Sequence, residues 1–177
     1  MEFREMRRKG QQLSQAECEE ILKSATSGVL GVVGDGGYPY TVPISHVYHE
    51  GKLYFHGAKV GHKIDALRAN DKVSFCIIAQ DEVMPKERTT AFISVIAFGR
   101  ARVVEDEEGL RRIATLVGQK YSPNYPEDCK QEIDEAIASQ RMACVEIEIE
   151  HLTGKCGLQV LKRRRNEAGH RLAEQET

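Results

Sequence analysis

The sequence predicts a mainly β fold, in which a small antiparallel barrel or sandwich carries helices on its outside. Three observations support this fold class. The chain contains six runs of strand length and three main helical patterns, and the strands between residues 28 and 57 follow one another through tight turns. A regular alternation of strand and helix is absent, which argues against a doubly wound parallel sheet.

Length and composition fit one globular domain. For a chain of 177 residues, folding buries about 70% of the unfolded surface, enough for a core without metals or disulfides. The net charge of −2 gives no overall attraction to nucleic acid. No apolar run approaches the ~20 residues that cross a bilayer, and residues 1–12 lack the apolar centre of a signal peptide. We therefore expect a cytoplasmic protein without nucleic-acid or membrane partners.

The first elements are a helix and a short strand. Ser14 and Glu17 form an S-x-x-E capping box ahead of a helix that reaches residue 25. The glycine-rich run that follows is apolar and predicts a strand at 28–34, which Asp35-Gly36-Gly37 turns. Because another strand follows this turn and no helix does, the glycines indicate a hairpin and not a nucleotide-binding loop.

The next two runs predict a hairpin. Residues 38–50 are aromatic and β-branched, and residues 52–57 return along them after a turn at Glu50-Gly51. Pro39 and Pro43 cannot donate hydrogen bonds to a strand ladder, so the first of these strands is expected at a sheet edge or at a bulge.

The rest of the chain alternates longer strands with helices. Gly99 interrupts a long strand pattern and indicates a bulge or a close approach of backbone. Residues 81–89 are polar, contain Pro85 and predict a loop, and residues 162–177 lack an apolar pattern and predict a solvated tail after a domain at 1–161. The strands are predicted at 72–80, 90–105 and 142–152, and the helices at 62–70, 106–121 and 129–140.

The segment 55–68 carries the strongest indication of a ligand site. A strand ends, a glycine-containing loop follows, and a helix begins, whose free N–H groups and dipole suit a phosphate. Two lysines add positive charge, and glycine lets the backbone approach a ligand. A surface turn with solvated lysines is the alternative. The residues expected at this phosphate site are Lys59, Gly61, His62 and Lys63, and the strand before it ends at Phe55, His56 and Gly57.

Other chemistry-bearing residues give weaker indications. His46 and His49 are three apart on a strand, which places them on opposite faces and argues against a shared metal ion. The five cysteines are widely spaced without a C-x-x-C pair, so neither a disulfide framework nor a zinc site is expected. His56 is either a structural or surface histidine or a site residue. Ser94 lies among apolar neighbours and needs a partner, either a backbone group or a ligand.

The order of these motifs resembles the FMN-binding split β-barrel superfamily typified by pyridoxamine 5′-phosphate oxidase, and within it the 5-nitroimidazole-resistance (Nim-type) branch. The resemblance covers about residues 6–160. It rests on MRRKGQQL at 6–13, the run GVLGVVGDGGYPYTVPISHVYHEGKLYFHGAKVGHKIDALRAN at 28–70, KVSFCI at 72–77, SVIAFGRARVV at 94–104 and LTGK at 152–155.

This resemblance implies a six-stranded Greek-key split barrel and a homodimer that binds FMN between its subunits. It also implies that His56 matches a histidine proposed to be functional in Nim-type proteins. By position, the cofactor would meet Thr41, Val42, Pro43 and Ile44 along the flavin ring, largely through backbone groups, Phe55, His56 and Gly57 at the ring and ribitol, Gly61, His62 and Lys63 at the phosphate, and Ser94 from the long strand.

The function expected from this resemblance is an FMN-dependent oxidoreductase of nitroreductase type that acts on a small molecule. His56 would position the substrate or deliver a proton. Nothing matches the C-terminal arginine and histidine pattern of true pyridoxamine phosphate oxidases, so vitamin B6 oxidation is not expected. The alternative is a split-barrel protein that binds flavin or haem without turnover. A DNA-associated role for KRRR at 162–165 is disfavoured in a net-acidic chain.

Overall fold

The computed structural model describes residues 2–175, with side chains to residue 167. Within this range, seven antiparallel strands form one sheet and five α-helices surround it. The strands are β1 Ser27–Val33, β2 Pro39–Ser45, β3 Val47–His49, β4 Lys52–Ala58, β5 Lys72–Met84, β6 Thr89–Val104 and β7 Met142–Cys156. The helices are α1 Gln15–Ser24, α2 His62–Ala69, α3 Glu107–Tyr121, α4 Pro126–Ala138 and α5 Leu158–Gln175.

The sheet has the strand order β2-β1-β5-β6-β7-β4-β3. Only His46 separates β2 from β3 along the chain, yet these two strands lie at opposite edges of the sheet. The sheet therefore curls until its edges approach each other, although no ladder closes it among the described residues. This architecture confirms the predicted mainly β, antiparallel class with peripheral helices, and it has the form of a split barrel.

The number of strands is seven and not the six predicted, because the run 38–50 is interrupted at His46. The His46 side chain is fully buried, where its Nε2 atom lies 3.0 Å from the carbonyl oxygen of Leu22. Tyr121 and Lys120 of α3 bind the backbone of His46 on its other side. These long-range contacts hold a corner that local alternation in the sequence does not indicate. The edge position predicted from Pro39 and Pro43 is correct, since β2 is an edge strand.

Two apolar clusters lie on opposite faces of β4 and β7. The inner cluster fills the barrel and includes Phe55, Phe75 and Val145, all 0% exposed. The outer cluster packs these strands against α3 through Tyr54 and Cys144, among others. Because side chains alternate along a strand, successive residues of β4 point in turn to the inner and the outer face of the sheet.

Gly99 is both the predicted bulge and a close approach of two strands. The pairing of β6 with β7 shifts register between Phe98 and Gly99. A Cβ atom at this position would lie 2.1 Å from the carbonyl oxygen of Glu148. Both features that the sequence indicated at Gly99, a bulge and a close approach of backbone, are therefore confirmed.

The structure differs from prediction at two further places. Residues 81–84 extend β5 and pair with β6, where a loop was predicted, because the long partner strand supplies their backbone hydrogen bonds. Residues 162–175 continue α5, a helix that the prediction of a solvated tail did not include. Residues 162–167 are exposed, and Arg163 makes a two-point contact with Glu82 at 2.6 and 2.8 Å. No helix in the described part of the chain is long and apolar enough to cross a membrane.

Candidate ligand site

α2 begins directly after Gly61, where the sequence predicted a phosphate site. Gly61 precedes the helix with φ +127° and ψ 164°, a backbone conformation that side-chain-bearing residues rarely adopt. The first helical bonds run from the amides of Ile64 and Asp65 to the carbonyl oxygen of Gly61. The helix therefore begins in the usual way, with its first N–H groups pointing out of the N-terminal end, where the helix dipole is positive.

Lys63 lies directly over the end of β4. A Cβ atom at Gly57 would be 3.3 Å from the Nζ atom of Lys63, so the absence of a side chain at Gly57 leaves room for the ammonium group. The Lys59 amide donates to the carbonyl oxygen of Arg141 at 3.0 Å, which fixes the intervening loop to the chain before β7. The structure thus brings Gly57, Gly61 and Lys63 together, as the sequence predicted.

His62 links this loop to the β1–β2 hairpin. Its ring stacks on Tyr40 with 4.1 Å between centroids and 12° between planes. Its Nε2 atom lies 3.8 Å from a carboxylate oxygen of Asp35, and Gly34 has no side chain to obstruct it. The His62 imidazole thus contacts Tyr40 and Asp35, and these contacts join α2 to the hairpin that carries β2.

The four predicted flavin-ring residues of β2 divide between two faces. Val42 and Ile44 point into the inner cluster, whereas Thr41 and Pro43 are exposed on the outward face. Since the side chains of Val42 and Ile44 pack inward, the expected contact of these residues with a flavin would be made largely through their backbone. The edge position of β2 leaves one side of its backbone unpaired by another strand.

The outward face of β2, β1, β5 and β6 forms a broad, partly apolar surface. Val29, Ile78 and Phe98 are 37%, 66% and 36% exposed there. A hollow of about 350 Å³ opens beside Thr41 on this surface, and we call it the hairpin hollow. It is lined by Gly31, Val32, Val33, Pro39, Tyr40, Thr41, Lys72, Val73, Ser74 and Phe98.

Ser94 shares the outward face but not the hairpin hollow. It pairs with Ile78 on one side and with Lys155 on the other. Phe98 lies four residues further along the same strand, so Ser94 is about 13 Å from the row of the sheet that contains Thr41. Within one chain, the structure does not bring Ser94 to the start of α2.

His56 lies on the opposite face of β4 from Gly57. It alternates with Phe55 and shares the outward face with Tyr54 and with its cross-strand neighbour Cys144. Its side chain is exposed to solvent, yet enough protein surrounds the ring that desolvation lowers the pKa of His56. His56 is therefore mainly neutral at pH 7, and a single protomer places it away from Lys63. The Phe55 side chain is fully buried in the inner cluster.

The sequence reasoning did not single out Lys72, Ser74 and Phe98, which line the hairpin hollow. A signal was available, because these residues alternate with Val73, Phe75 and Ala97, all of them buried. Their convergence, however, depends on the pairing of Ser74 with Phe98 between two strands. No group of three histidine, cysteine or acidic side chains in the described part of the chain could hold a metal ion.

The fold and this site define an antiparallel split-barrel protein with an anion-suited helix start beside an open groove. The chain belongs to the pyridoxamine 5′-phosphate oxidase family, whose sequence model matches residues 14–156. No curated protein matches the chain.

Several solved structures share the fold. A 5-nitroimidazole antibiotic resistance protein from Bacteroides thetaiotaomicron has a TM-score of 0.68 at 20% identity, over 82% of this chain and 86% of that chain. A FAD-binding protein from Mesorhizobium loti has a TM-score of 0.55 at 26% identity, over 82% and 96%. A FAD and haem binding protein from Mycobacterium smegmatis has a TM-score of 0.69 at 17% identity, over 84% and 74%.

Proposed function

We propose that the chain is a cytoplasmic flavoprotein that binds FMN and acts as an FMN-dependent oxidoreductase of nitroreductase type. The observation that carries this proposal is the position of Lys63 over Gly57 at the start of α2, joined through His62 and Tyr40 to the strand that borders the hairpin hollow. Family membership and the flavin-binding neighbours support the class of cofactor.

The residues present fit a flavin phosphate. Gly61 adopts a conformation suited to glycine, Gly57 leaves room for the Lys63 ammonium, and the first amides of α2 add N–H donors. A phosphate at this position would be stabilised by the lysine cation, by the helix dipole and by the backbone N–H donors at the same time. The preference for FMN over FAD rests on the compactness of this site. FAD carries an adenylate beyond the phosphate, and that group would need a further binding surface.

The proposed enzyme is a homodimer with the flavin between its subunits. The exposed apolar side chains of the outward face support this arrangement, since contiguous apolar patches on a soluble protein mark binding surfaces. A second subunit on this face would also explain why Thr41, Ser94 and the start of α2 do not converge within one chain. In this proposal the partner completes the site.

The residues of the chain would do the following in catalysis. Lys63 and the start of α2 hold the phosphate, and the free backbone edge of β2 at Val42 and Ile44 orients the flavin ring and stabilises negative charge on it. The chemistry that FMN supplies when bound is the transfer of a hydride or of single electrons. His56 positions the substrate as a neutral imidazole, or passes a proton to it from the imidazolium form, which then becomes neutral.

One experiment tests the proposal directly. The protein is purified, its absorbance spectrum is recorded, and the cofactor released by denaturation is identified by mass. Released FMN would support the proposal, together with reduction of a nitro compound by the same sample. FAD would correct the cofactor, and haem, or a flavin without any turnover, would favour the non-catalytic alternative.

A further inference from the structure

The N-terminal segment places an aromatic ring on the outward face of the sheet. Phe3 stacks on His151 with 4.7 Å between centroids and 7° between planes. The same ring lies 5.6 Å from the ring of Phe98, and Phe98 pairs with His151 across β6 and β7. We call Phe98 and His151 the stacking platform. In this structure the platform holds one flat ring, which is nearly parallel to the His151 ring and tilted by 36° from the Phe98 ring.

The stacking platform adjoins a second hollow of about 560 Å³, which we call the platform hollow. Phe3 forms one wall of it, and Lys72, Val73 and Phe98 line both this hollow and the hairpin hollow. The two hollows therefore form neighbouring parts of one groove. Such a volume is within the range of small-molecule sites.

Two basic side chains line the platform hollow, and they differ in whether an acidic side chain pairs with them. Arg100 pairs with Asp71 at 2.7 Å and with Glu150 at 2.9 Å. Lys72 makes no ion pair within the described part of the chain, and it lies on the outward face beside Arg100. Its ammonium group is therefore free to meet an anionic or strongly polar group on a bound molecule.

We propose that the stacking platform and Lys72 bind a planar aromatic molecule with an anionic substituent, and that Phe3 occupies this position in the free chain. Phe3 belongs to a largely exposed segment, whose first anchored part is the short 3-10 helix Lys9–Gln11. The amide of Leu13 then binds the carbonyl oxygen of Gly154. A ring tethered in this way competes intramolecularly with any ligand, and a ligand displaces it without unfolding the barrel.

The identity of this molecule as the substrate rests on the proposed function, whereas its binding does not. Under that function, the flavin ring lies along β2 next to the hairpin hollow, and the platform hollow holds a flat nitroaromatic acid beside it. His56 of the same chain is about 20 Å away along β7, so His56 would have to reach this acid from the second subunit. The class of substrate is therefore set by planarity and by charge, and Phe3 regulates access.

The test measures the binding of 4-nitrobenzoate to the wild-type protein and to the variants Phe3→Ala and Phe3→Tyr by calorimetric titration. Removal of the competing ring should tighten binding about 2- to 12-fold, the range of an aromatic pair. Phe3→Tyr keeps the ring and should resemble the wild type. His151→Ala should weaken binding in the Phe3→Ala background, because it removes part of the stacking platform.

Two matched ligands separate the contributions of charge and shape. Lys72→Met should weaken binding of 4-nitrobenzoate and leave 4-nitrobenzyl alcohol unchanged, since the alcohol lacks the carboxylate. trans-4-Methylcyclohexanecarboxylate is not planar, cannot stack on the platform, and should bind more weakly than 4-nitrobenzoate to both the wild-type protein and Phe3→Ala. If Phe3→Ala lowers the melting temperature and leaves the affinity for 4-nitrobenzoate unchanged, Phe3 is a packing residue and the inference is overturned.

Flavin content, measured by absorbance in the same samples, distinguishes the two proposals. Wild-type protein that binds 4-nitrobenzoate as expected but contains no flavin would refute the proposed function and leave the stacking platform standing. Flavin-loaded protein with an unchanged affinity in every variant would remove the platform alone.

Discussion

Lys63 is the residue on which the cofactor proposal depends most directly. Its ammonium group lies over Gly57 at the start of a helix, where a phosphate would find both charge and amide donors. We predict that Lys63→Ala weakens FMN binding roughly 10- to 150-fold, the equivalent of ~1.5–3 kcal/mol for a charge-assisted contact. Fluorescence titration of the apoprotein measures this loss. Riboflavin lacks the phosphate and should lose much less, so equal losses for both flavins would assign Lys63 to folding.

His56 allows a test of catalysis that is separate from binding. It is exposed, and it lies across β4 from the proposed phosphate site. We predict that His56→Ala remains folded and flavin-loaded, while the rate of nitro reduction per bound FMN falls roughly 10²- to 10⁴-fold if the imidazole transfers a proton. A full flavin load with the wild-type rate would remove His56 from the mechanism. Loss of stability together with flavin release would make it a packing residue.

The buried His46 should make the free energy of unfolding fall as the pH is lowered. Burial lowers its pKa from 6.5 to about 4, the Leu22 carbonyl bond opposes this shift, and the Lys120 charge adds to it. Its Nδ1 atom is buried without a hydrogen-bond partner. Below pH 6.5 the unfolded chain therefore takes up a proton that the folded chain cannot accept until about pH 4.

The contribution of His46 to stability is thus fully present above pH 6.5 and is lost as the pH falls toward 4, by about 3 kcal/mol in all. Urea unfolding at a series of pH values measures it. The variant His46→Gln should lose this part of the acid dependence, whereas His49→Gln, at an exposed position, should keep it. An identical acid dependence in the wild type and His46→Gln would contradict the assignment.

At the scale of elements, Gly99 marks a close approach of β6 to β7. A methyl group there would lie 2.1 Å from the backbone oxygen of Glu148, which cannot rotate away. We predict that Gly99→Ala lowers the free energy of unfolding by at least the ~1–3 kcal/mol typical of overpacking. Denaturant unfolding measures it. Gly10→Ala is the matched control, because a Cβ there has no neighbour within 4 Å, and an equally small effect at both positions would refute the close approach.

Local signals explain which elements could be predicted from the sequence. The capping box of Ser14 and Glu17 is formed as the spacing indicated, with both reciprocal hydrogen bonds present. The prolines of β2 and the glycine of β6 also had their predicted consequences, because each acts through its own backbone. In contrast, the break at His46 depends on α1 and α3, which are distant in sequence.

The candidate site divides in the same way. The start of α2 was predictable, because helix start, glycine and lysine follow one another within a few residues. The residues of the two hollows and of the stacking platform were not, since Lys72, Phe98 and His151 come from three strands and meet only through their register. Phe3 was still less accessible to sequence reasoning, because nothing near residue 3 indicates the histidine on which it stacks.

At the scale of the whole molecule, the sheet has two unlike outer regions. Where β4 and β7 lie under α3, Glu146 is nearly buried among cations from three elements. Burial alone would raise its pKa, but hydrogen bonds from Lys52 and Arg102 hold the pKa of Glu146 below its ordinary value. The region around Ile78 and Phe98 is instead apolar and exposed. The first region is completed within the chain, and the second is the surface on which a subunit would bind.

The last prediction follows from this contrast. We expect a homodimer through the outward face of β1, β5 and β6, with an interface of about 2,000 Å² or more if the dimer is obligate. Sedimentation velocity at micromolar protein should show twice the chain mass of 19.9 kDa. Ile78→Glu places a charge on this face, where the side chain is 66% exposed, and should shift the protein to monomer.

Tyr125→Glu is the matched control for the dimer, since Tyr125 is 62% exposed but precedes α4 on the helical side. It should leave the dimer intact. Because the proposed flavin site is completed by the partner, the Ile78→Glu monomer should also lose FMN while remaining folded by circular dichroism. A wild-type protein that sediments only as a monomer and still retains FMN would contradict the dimer, and it would require Thr41, Lys63 and Ser94 to converge on a flavin within a single chain.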